Sequence, residues 1–410
     1  MHGVARRSSD LPAICGGEPV RDSFLVFGAP AIGEAEITEV VDTLRSGWLG
    51  TGPKVKGFEH DFERYIGCGH AIALNSCTAG LHLALEVAGI GPGDEVITTP
   101  LTFAATANVI VHVGARPVFV DVVRDTQNID PERIEEVVTP RTRAIIPVHM
   151  AGRPCDMDAI RDIARRHNLT VIEDAAHAVE TQYKGRKIGN VSDLTAFSFY
   201  VTKNVCTGEG GMVTTNNESW AEEIRIKSLH GVSKGAWQRY SAEGFQPYET
   251  IYPGYKYNMT DMQAALGLHQ LRRVEENLRT RERYWRMYDE AFAGLAQIVT
   301  PSAELAPGSR HARHLYTIML NVEQMSITRD QFVEAMKAEN IGTGVHFTAL
   351  HLHKYYRETF GYKPGDFPNA EWIGERTASL PLSPKLNERD LTDVIEAATR
   401  IVRWACNARV

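Results

Sequence analysis

Between residues 70 and 215 the chain alternates short runs of β-forming residues with stretches of helical periodicity. This alternation is typical of α/β domains, in which helices cover the sheet between successive strands. The predicted strands are His70–Leu74, Glu95–Thr98, Pro117–Asp121, Ala144–Val148, Thr170–Asp174, Ala196–Phe199 and Met212–Thr215. Several of these runs are apolar throughout, which suits strands buried on both faces of a mostly parallel sheet. The pattern therefore predicts one large layered α/β domain.

The pattern changes after this region. Residues 228–257 contain Gly and Tyr residues and one Trp without clear periodicity, so we expect a functional or partner-bound segment there. Apolar residues at helical spacing follow over residues 261–295. Further along, a predicted strand, Tyr316–Val322, is combined with predicted helices at Arg329–Asn340 and Glu388–Ala405. The C-terminal part is therefore expected to form a smaller α+β unit.

Composition and charge exclude several classes of protein. The chain is 43% hydrophobic and 23% charged, as soluble globular proteins are, and its net charge of −7 with scattered Lys and Arg argues against nucleic-acid binding. Its six cysteines form no CxxC pair, so we expect reduced thiols. No run approaches the roughly 18 apolar residues of a membrane-spanning helix, and no apolar signal core follows the Arg6-Arg7 pair. A cytoplasmic protein without membrane or nucleic-acid partners is expected.

Two predicted strands are followed by residues that can carry chemistry. Asp174 ends the run that begins at Thr170, and ligands of open α/β sheets bind beyond the carboxyl ends of the strands. A helix cap is the alternative role for this carboxylate. Lys203 follows the apolar run that begins at Ala196. Desolvation lowers the pKa of a lysine and makes its amine nucleophilic, which a Schiff-base lysine requires.

A third segment, Leu74–Leu85, turns from a strand end through small and hydroxyl residues into an apolar helix. Helix N-termini bind phosphate through unpaired N–H groups and the positive end of the helix dipole. Hydroxyls from Ser76 and Thr78 can add hydrogen bonds, although a simple N-cap is the alternative. A phosphate cradle, a strand-end carboxylate and a later lysine, in this order, together indicate a site for pyridoxal 5′-phosphate.

From about Phe27 to the C-terminus, the sequence resembles the DegT/DnrJ/EryC1/StrS family of sugar aminotransferases. Three stretches carry most of the resemblance: Glu173–Ala178, Phe197–Asn204 and Thr207–Gly211. The branch that makes UDP-4-amino-4-deoxy-L-arabinose is the most similar one at His177, Gly254–Asn258 and Asn340–Phe347. The Thr207-Gly208 pair differs from the Cys-Ala of that branch.

The resemblance implies an α/β architecture of the aspartate aminotransferase type (fold type I). A large domain would be built around a seven-stranded, mostly parallel sheet, and a smaller α+β domain would follow. We place the N-terminal tail at residues 1–24, the large cofactor-binding domain at 25–270 and the small domain at 271–410.

The resemblance also implies roles for individual residues. Lys203 would form the Schiff base and then move the proton during transfer, and Asp174 would keep the pyridinium nitrogen protonated so that the ring accepts electrons. The other implied cofactor-binding residues are Cys77, Thr78 and Ser198 at the phosphate, Phe103 stacked on the ring, His177 near its phenolic oxygen, and Asn258 at the phosphate of the neighbouring subunit. This last contact implies a homodimer with shared active sites.

On the substrate side, the resemblance places His346 and Phe347 beside the sugar. Tyr200 stands where many relatives carry histidine, and its hydroxyl can donate a hydrogen bond. The other histidines of this region fit no zinc-binding spacing, so no metal is expected. The glycine-rich turn at residues 50–57 lies near the active site in the family. A contact of its Lys54 and Lys56 with a nucleotide diphosphate is a hypothesis.

The implied reaction transfers an amino group from L-glutamate to a UDP- or dTDP-linked 4-keto sugar and releases 2-oxoglutarate. Related alternatives are amination of a 3-keto sugar or of a keto-cyclitol in antibiotic biosynthesis. A sugar dehydratase of this fold carries histidine in place of the Schiff-base lysine, and a non-catalytic relative would have lost part of the site. The presence of Lys203, Asp174 and Thr78 argues against both.

Overall fold

A computed structural model describes residues 11–232 and 249–407. The Arg6-Arg7 pair and most of the aperiodic segment after Ser228 lie outside the described residues. The helices are α1 (Glu34–Ser46), α2 (Pro53–Ile66), α3 (Cys77–Val87), α4 (Ala104–His112), α5 (Met157–His167), α6 (Glu218–Ser228), α7 (Asp261–Arg272), α8 (Val274–Phe292), α9 (Arg329–Ala338), α10 (Lys354–Phe360), α11 (Pro368–Gly374) and α12 (Glu388–Asn407). The strands are β1 (His70–Leu74), β2 (Glu95–Thr98), β3 (Arg116–Phe119), β4 (Thr142–Ile145), β5 (Thr170–Asp174), β6 (Gln182–Tyr183), β7 (Arg186–Lys187), β8 (Leu194–Ser198), β9 (Gly211–Thr215), β10 (Ile298–Val299), β11 (Tyr316–Leu320) and β12 (Thr377–Leu380).

The main sheet has seven strands within the described ranges, in the order β1-β9-β8-β5-β4-β2-β3. Strand β9 runs antiparallel to both of its neighbours, and the remaining pairs are parallel. This arrangement confirms the predicted α/β class and the mostly parallel seven-stranded sheet. The carboxyl ends of β5 and β8 therefore lie side by side at one edge, with Asp174 paired to Ala196.

Several strands end earlier than the sequence pattern predicts. Strand β4 stops at Ile145, whereas the apolar run extends to Val148. The next residue, Ile146, still donates a hydrogen bond to Ile97 (2.7 Å), but Pro147 has no N–H to continue the ladder. Hydrophobicity therefore predicts which residues are buried, but it does not predict where the hydrogen-bonded strand ends.

Helices cover both faces of this sheet. Residues from α3, α4 and α6 pack on one face with Ile72 and Leu74 of β1. Residues from α2, α5 and α7 pack on the other face with Ala71 and Ala73 of the same strand. This alternation follows from the two-residue period of side chains along a strand. The strands are thus buried on both faces, as their apolar composition predicts.

The helical pattern over residues 261–295 forms two helices and not one. Helix α7 ends at Arg272 and α8 begins at Val274, with Arg273 between them at φ −100° and ψ 1°. The guanidinium of Arg273 donates to Glu36 and to the carbonyl of Ala31. The break between the helices thus coincides with a contact to a distant segment. Hydrophobic periodicity carries no information about such a contact.

The C-terminal part has a hydrophobic core of its own. Strands β10, β11 and β12 form an antiparallel sheet, and apolar residues of α8, α9 and α12 pack against it. Residues 11–25 belong to this core as well, because Val20 and Leu25 pack against it and Glu339 accepts hydrogen bonds from the N–H groups of Ala13 (2.9 Å) and Val20 (2.8 Å). The domain boundaries near residues 24 and 270 stay predictions. No described helix is long and apolar enough to cross a membrane.

The start of α2 is held by a carboxylate from α7. Asp261 is fully buried, and its oxygens accept hydrogen bonds from the N–H groups of Gly52 (2.8 Å), Lys54 (3.0 Å) and Val55 (3.0 Å). These N–H groups belong to the first turn of a helix, which has no acceptors within the helix. Asp261 therefore connects α2 to α7 and neutralises the positive end of the α2 dipole.

We predict that Asp261→Ala lowers the free energy of unfolding by about 2–4 kcal/mol, because three N–H groups lose their acceptor inside the protein. Asp261→Asn keeps one oxygen acceptor and should cost about half as much. Urea denaturation at equal protein concentration measures both. Asp330→Ala is the matched control, because Asp330 also lies in the first turn of a helix but is exposed and, among the described residues, its side chain bonds only to Arg329. Equal losses in the two Asp261 variants would contradict the capping role.

Candidate active site

Lys203 lies in a turn five residues beyond the end of β8, and not at the strand end itself. Its N–H group donates to the carbonyl of Tyr200 (2.8 Å), which closes the turn. Burial lowers the pKa of the Lys203 ammonium to about 8, although Cys77 and Asp174 act in the opposite direction. The amine is therefore far closer to its neutral, nucleophilic form at physiological pH than a lysine in water.

Asp174 occupies the last position of β5 and is buried. Its Oδ2 accepts a hydrogen bond from the hydroxyl of Thr106 (2.7 Å), and its Oδ1 accepts one from the N–H of Ala176 (3.1 Å). Burial raises the pKa of this carboxyl, and these two hydrogen bonds and the Lys203 ammonium lower it again. A buried carboxyl held in this way suits a cationic N–H partner that shares its burial.

Helix α3 begins directly beside the end of β8. Ser76 is its N-cap, and the Ser76 hydroxyl accepts from the N–H of Ala79 (3.1 Å), so this hydroxyl serves the helix. The first-turn N–H groups of Cys77 and Thr78 have no acceptor within the helix. The chemistry of this helix start therefore favours an anion, as the sequence predicts.

Gly211 brings the next strand against this helix start. A Cβ atom at Gly211 would lie 2.4 Å from the carbonyl carbon of Ser76 and 2.5 Å from the nitrogen of Cys77. Gly211 pairs with Ser198 across β8 and β9. The close approach thus places buried Ser198 near the N-terminus of α3, where its hydroxyl can supplement the helix N–H groups.

Aromatic rings line the opening of this region. Phe103 stands at the N-cap of α4 and is 65% exposed, which is unusual for a large apolar side chain beside buried charges. Its ring centroid lies 6.3 Å from that of Phe347, which stacks on His177 at 6.2 Å and 15°. His346 lies beside Phe347 (5.0 Å) and its Nδ1 is 2.7 Å from the hydroxyl of Ser379. These rings form an aromatic surface, and the charge of Lys203 acts on two of them, His177 and His346.

One ring of this surface, His177, also contacts a second histidine, His314, with the two ring planes inclined by 33°. The ring centroids of His177 and His314 are 4.5 Å apart. Burial lowers the pKa of both rings well below the usual value, and the Lys203 ammonium lowers it further. Burial together with Lys203 also lowers the pKa of His346 to about 4. The imidazoles around the lysine are therefore neutral near pH 7 and add no positive charge.

The remaining residues that the sequence singles out lie around this region in different ways. Tyr200 is 45% exposed in the turn before Lys203. Asn258 instead bridges to Leu74 at the end of β1 and donates to the hydroxyl of Thr51 (2.7 Å). In the glycine-rich turn at residues 50–57, Lys54 forms an ion pair with Glu39. The carboxylate of Asp261 caps the N-terminus of α2 that follows this turn, whereas α3 has no such carboxylate cap among the described residues. No cluster of metal-ligating side chains occurs in residues 11–232 and 249–407.

Sequence reasoning missed two side chains of the site. Thr106 holds Asp174 from the first turn of α4, and His314 contacts His177 from the segment before β11. A threonine in an apolar helix and one histidine among several carry no local pattern that separates them from ordinary residues. Only the packing of distant segments reveals them.

Comparison with known proteins places this geometry in a family. Residues 30–399 match the DegT/DnrJ/EryC1/StrS aminotransferase family, and the chain belongs to it. The spore coat polysaccharide biosynthesis protein SpsC of Bacillus subtilis is 54% identical over 386 residues, which cover 94% of this chain and 99% of SpsC. The protein is therefore an enzyme, a transaminase that depends on pyridoxal 5′-phosphate.

Solved structures agree with this assignment. The putative sugar aminotransferase Spr1654 from Streptococcus pneumoniae in its PMP form superposes with a TM-score of 0.86 at 35% identity, covering 94% of this chain and 99% of that chain. DesI, solved in the presence of its TDP-sugar product, gives a TM-score of 0.85 at 32% identity, covering 98% of each chain. The fold is thus that of the PLP-dependent aminotransferases of fold type I, as the sequence predicts.

We predict that capture of pyridoxal 5′-phosphate by the cofactor-free enzyme follows the neutral fraction of Lys203. The rate should rise about tenfold per pH unit below the midpoint and level off above it, with the midpoint at about pH 8. Stopped-flow absorbance of the lysine-bound cofactor measures it. Nα-acetyl-lysine is the control, and its midpoint should lie near pH 10.4. A midpoint above pH 10 in the enzyme would contradict the desolvation of this amine.

Proposed function

We propose that the enzyme moves an amino group from L-glutamate to a nucleotide-linked 4-keto sugar, which yields 2-oxoglutarate and a 4-amino sugar. The observation that carries this proposal is a desolvated amine, Lys203, and a buried carboxyl, Asp174, whose charges each shift the pKa of the other. An amine whose pKa is about 8 can both attack a carbonyl carbon and exchange a proton near neutral pH. Membership of the family then makes transamination of a sugar ketone the reaction that uses it.

The residues described above fit the parts of pyridoxal 5′-phosphate. The open start of α3 at Cys77 and Thr78, with the hydroxyl of Ser198, would bind the phosphate. The carboxyl of Asp174, held by Thr106, would keep a proton on the ring nitrogen, since a buried carboxylate stabilises an N–H cation. When bound, the cofactor accepts the electron pair released at the substrate carbon and carries the amino group between the two half-reactions.

Other residues would orient the ring and exclude water. The exposed face of Phe103 would cover the ring, which explains an apolar side chain left 65% open to solvent in the protein alone. His177 accepts the N–H of Ala151 at Nδ1 (3.2 Å), so in its neutral form its Nε2 carries the hydrogen and can donate to the phenolic oxygen. The amine of Lys203, once released, would move the proton on and off the substrate carbon.

The sugar would lie against the same aromatic surface. His346, whose Nδ1 bonds to Ser379, and Phe347 would contact the sugar, and the exposed Tyr200 would donate a hydrogen bond from its hydroxyl. The similarity to DesI, which was solved in the presence of its TDP-sugar product, supports a nucleotide-linked substrate. Amination at C3, or of a keto-cyclitol, is the alternative, because the same lysine and carboxyl serve any ketone of suitable shape.

We further propose a homodimer in which Asn258 reaches the neighbouring cofactor. In its own chain Asn258 lies at the β1 end and holds Thr51, while its buried Oδ1 has no partner among the described residues. Exposed apolar residues on α1, Ile37 and Leu44, offer surface for a second copy.

The acceptor is tested by following the cofactor's visible absorbance. L-Glutamate should first bleach the colour of the lysine-bound form. UDP-, dTDP- and GDP-linked 4-keto sugars are then added separately, with a 3-keto sugar as the matched alternative. We expect the colour to return with a UDP- or dTDP-linked 4-keto sugar. Return of colour with the 3-keto sugar alone would overturn the position of amination, and no bleaching by glutamate would overturn the donor.

We predict that Lys203→Ala abolishes turnover, because no other amine at the site can replace it, and that Asp174→Asn lowers kcat by a factor of about 10² or more. An amide cannot hold a proton on the ring nitrogen by charge. Steady-state formation of 2-oxoglutarate measures both variants. Thr106→Val is a graded control, since it removes only the hydrogen bond that holds Asp174. Wild-type rates in Lys203→Ala or Asp174→Asn would refute the mechanism.

A further inference from the structure

A buried histidine and a buried carboxyl lie behind Asp174, and the proposed reaction uses neither of them. Glu173 directly precedes Asp174 in β5, so the two side chains leave the strand on opposite faces. Oε2 of Glu173 lies 2.8 Å from Nε2 of His149, and its Oε1 accepts a hydrogen bond from the hydroxyl of Thr195 (3.1 Å). The side chains of His149 and Glu173 are both 0% exposed. Polar groups are buried to this degree only where directed hydrogen bonds hold them.

The hydrogen bonds of the His149 ring determine its tautomer. Nδ1 accepts the backbone N–H of Cys155 (3.1 Å), which requires a lone pair on this nitrogen. The ring hydrogen is therefore on Nε2, which donates to Glu173. Both ring nitrogens are thus bonded inside the protein. Through these two bonds, His149 closes the segment of residues 147–155 against β5.

This 147–155 segment holds the backbone of Asp174. It follows β4, which ends at Ile145, and it runs on beside β5. The N–H of Asp174 donates to the carbonyl of Pro147 (2.9 Å), and the carbonyl of Asp174 accepts the N–H of His149 (3.1 Å). Both backbone polar groups of Asp174 are thus bonded to this segment. The position of the carboxyl therefore depends on where the segment lies.

The same segment orients His177. Ala151 adopts a left-handed backbone conformation (φ 55°, ψ 9°), and its N–H donates to Nδ1 of His177 (3.2 Å). Such a conformation is unfavourable for alanine and persists only where the surrounding structure imposes it. Gly152 follows at φ 93°, where a Cβ atom would lie 2.7 Å from the carbonyl oxygen of His177. The strained part of the segment is thus the part that contacts His177.

We propose that His149, bonded to Glu173, is a positioning residue for both Asp174 and His177. It holds the 147–155 segment at the distance from β5 that fixes the Asp174 backbone and keeps the Ala151 N–H on His177. The inference rests on the proposed function, because it takes Asp174 to act on the ring nitrogen of the cofactor and His177 on its phenolic oxygen. His149 itself acts only through these two residues.

Another side chain keeps the segment folded when His149 is replaced. Oδ1 of Asn128 accepts the N–H of Met150 (3.0 Å), and its Nδ2 donates to the carbonyl of Pro154 (3.0 Å). Asn128 is itself buried. Because these bonds do not involve the imidazole, we expect variants of His149 to fold. Their 147–155 segment should lose its fixed position against β5.

Three substitutions separate the two bonds of the imidazole. His149→Phe keeps a ring and removes both bonds. His149→Asn retains an oxygen acceptor close to the position of Nδ1, for the N–H of Cys155. His149→Gln retains an amide donor close to the position of Nε2, for Glu173. His167→Phe is the matched control, because His167 lies at the same 2.8 Å from Glu135 but at the protein surface.

The first measurement uses the cofactor-free enzyme. Hydrogen–deuterium exchange is read at the amides of Asp174 and Ala151 by NMR. In His149→Phe both amides should exchange faster by a factor of about 10 or more, because local opening of the segment becomes easier. His149→Asn and His149→Gln should lie between this variant and the wild type. His167→Phe should leave both amides unchanged.

The second measurement uses enzyme loaded with pyridoxal 5′-phosphate that carries ¹⁵N at the ring nitrogen. The wild-type resonance should be that of a protonated nitrogen, and in His149→Phe it should move towards that of the unprotonated form. Formation of 2-oxoglutarate should lose a factor of about 10 in kcat with little change in KM for L-glutamate, since chemistry and not binding depends on the position of Asp174.

The outcomes separate this proposal from a structural role and from the proposed function. A purely structural role would lower the yield or stability of His149→Phe without moving the resonance or kcat per folded site. Unchanged amide exchange and an unchanged resonance in folded His149→Phe would overturn the proposal. An unprotonated ring nitrogen in the wild type would instead contradict the role proposed for Asp174, and amide exchange would still report whether His149 holds the segment.

Discussion

Removal of the Lys203 ammonium from water is the constraint on which the rest of the site depends. A buried charge is costly unless its surroundings compensate, and here one buried carboxyl, Asp174, is the counter-charge. Further cations close to the amine would drive its pKa lower still. The site accordingly contains imidazoles that burial keeps uncharged, such as His177 and His314. Its polar groups supply directed hydrogen bonds and not additional charge.

The two halves of the chain contribute different properties to this site. The main sheet supplies the carboxyl of Asp174, the start of α3 and the turn that bears Lys203. The segment that leads into β11 and the one before α10 supply His314 and His346. The charge of Lys203, more than a hundred positions earlier in the chain, acts on both histidines. The electrostatic balance of the site therefore depends on how the C-terminal part packs on the sheet.

The parts of the structure that were predictable from sequence are those encoded by neighbouring residues. Sequence predicts the β5 run ending at Asp174 and the turn from β1 into α3 at Cys77, because in each case the residues that define the feature are consecutive. It does not predict the break between α7 and α8, where Arg273 bonds to Glu36 and Ala31, more than 230 positions away. The contact of Asn204 with His314 escaped prediction for the same reason, since it spans 110 positions. Local sequence patterns predict individual helices and strands, whereas the packing of distant segments determines which of them come into contact.

The cap on α2 also explains why only one of two similar turns is available to a phosphate. The glycine-rich turn before α2 and the hydroxyl-rich turn before α3 both present first-turn N–H groups. The first turn already holds an anion, the carboxylate of Asp261, which is tethered within the chain and so competes at a very high effective concentration. A dissolved phosphate ester would have to displace this internal carboxylate from α2, whereas at α3 the described residues place only the Ser76 hydroxyl on a first-turn N–H group, that of Ala79. The start of α3, the proposed phosphate site, is thus the one of these two turns that does not already hold a carboxylate of the described residues.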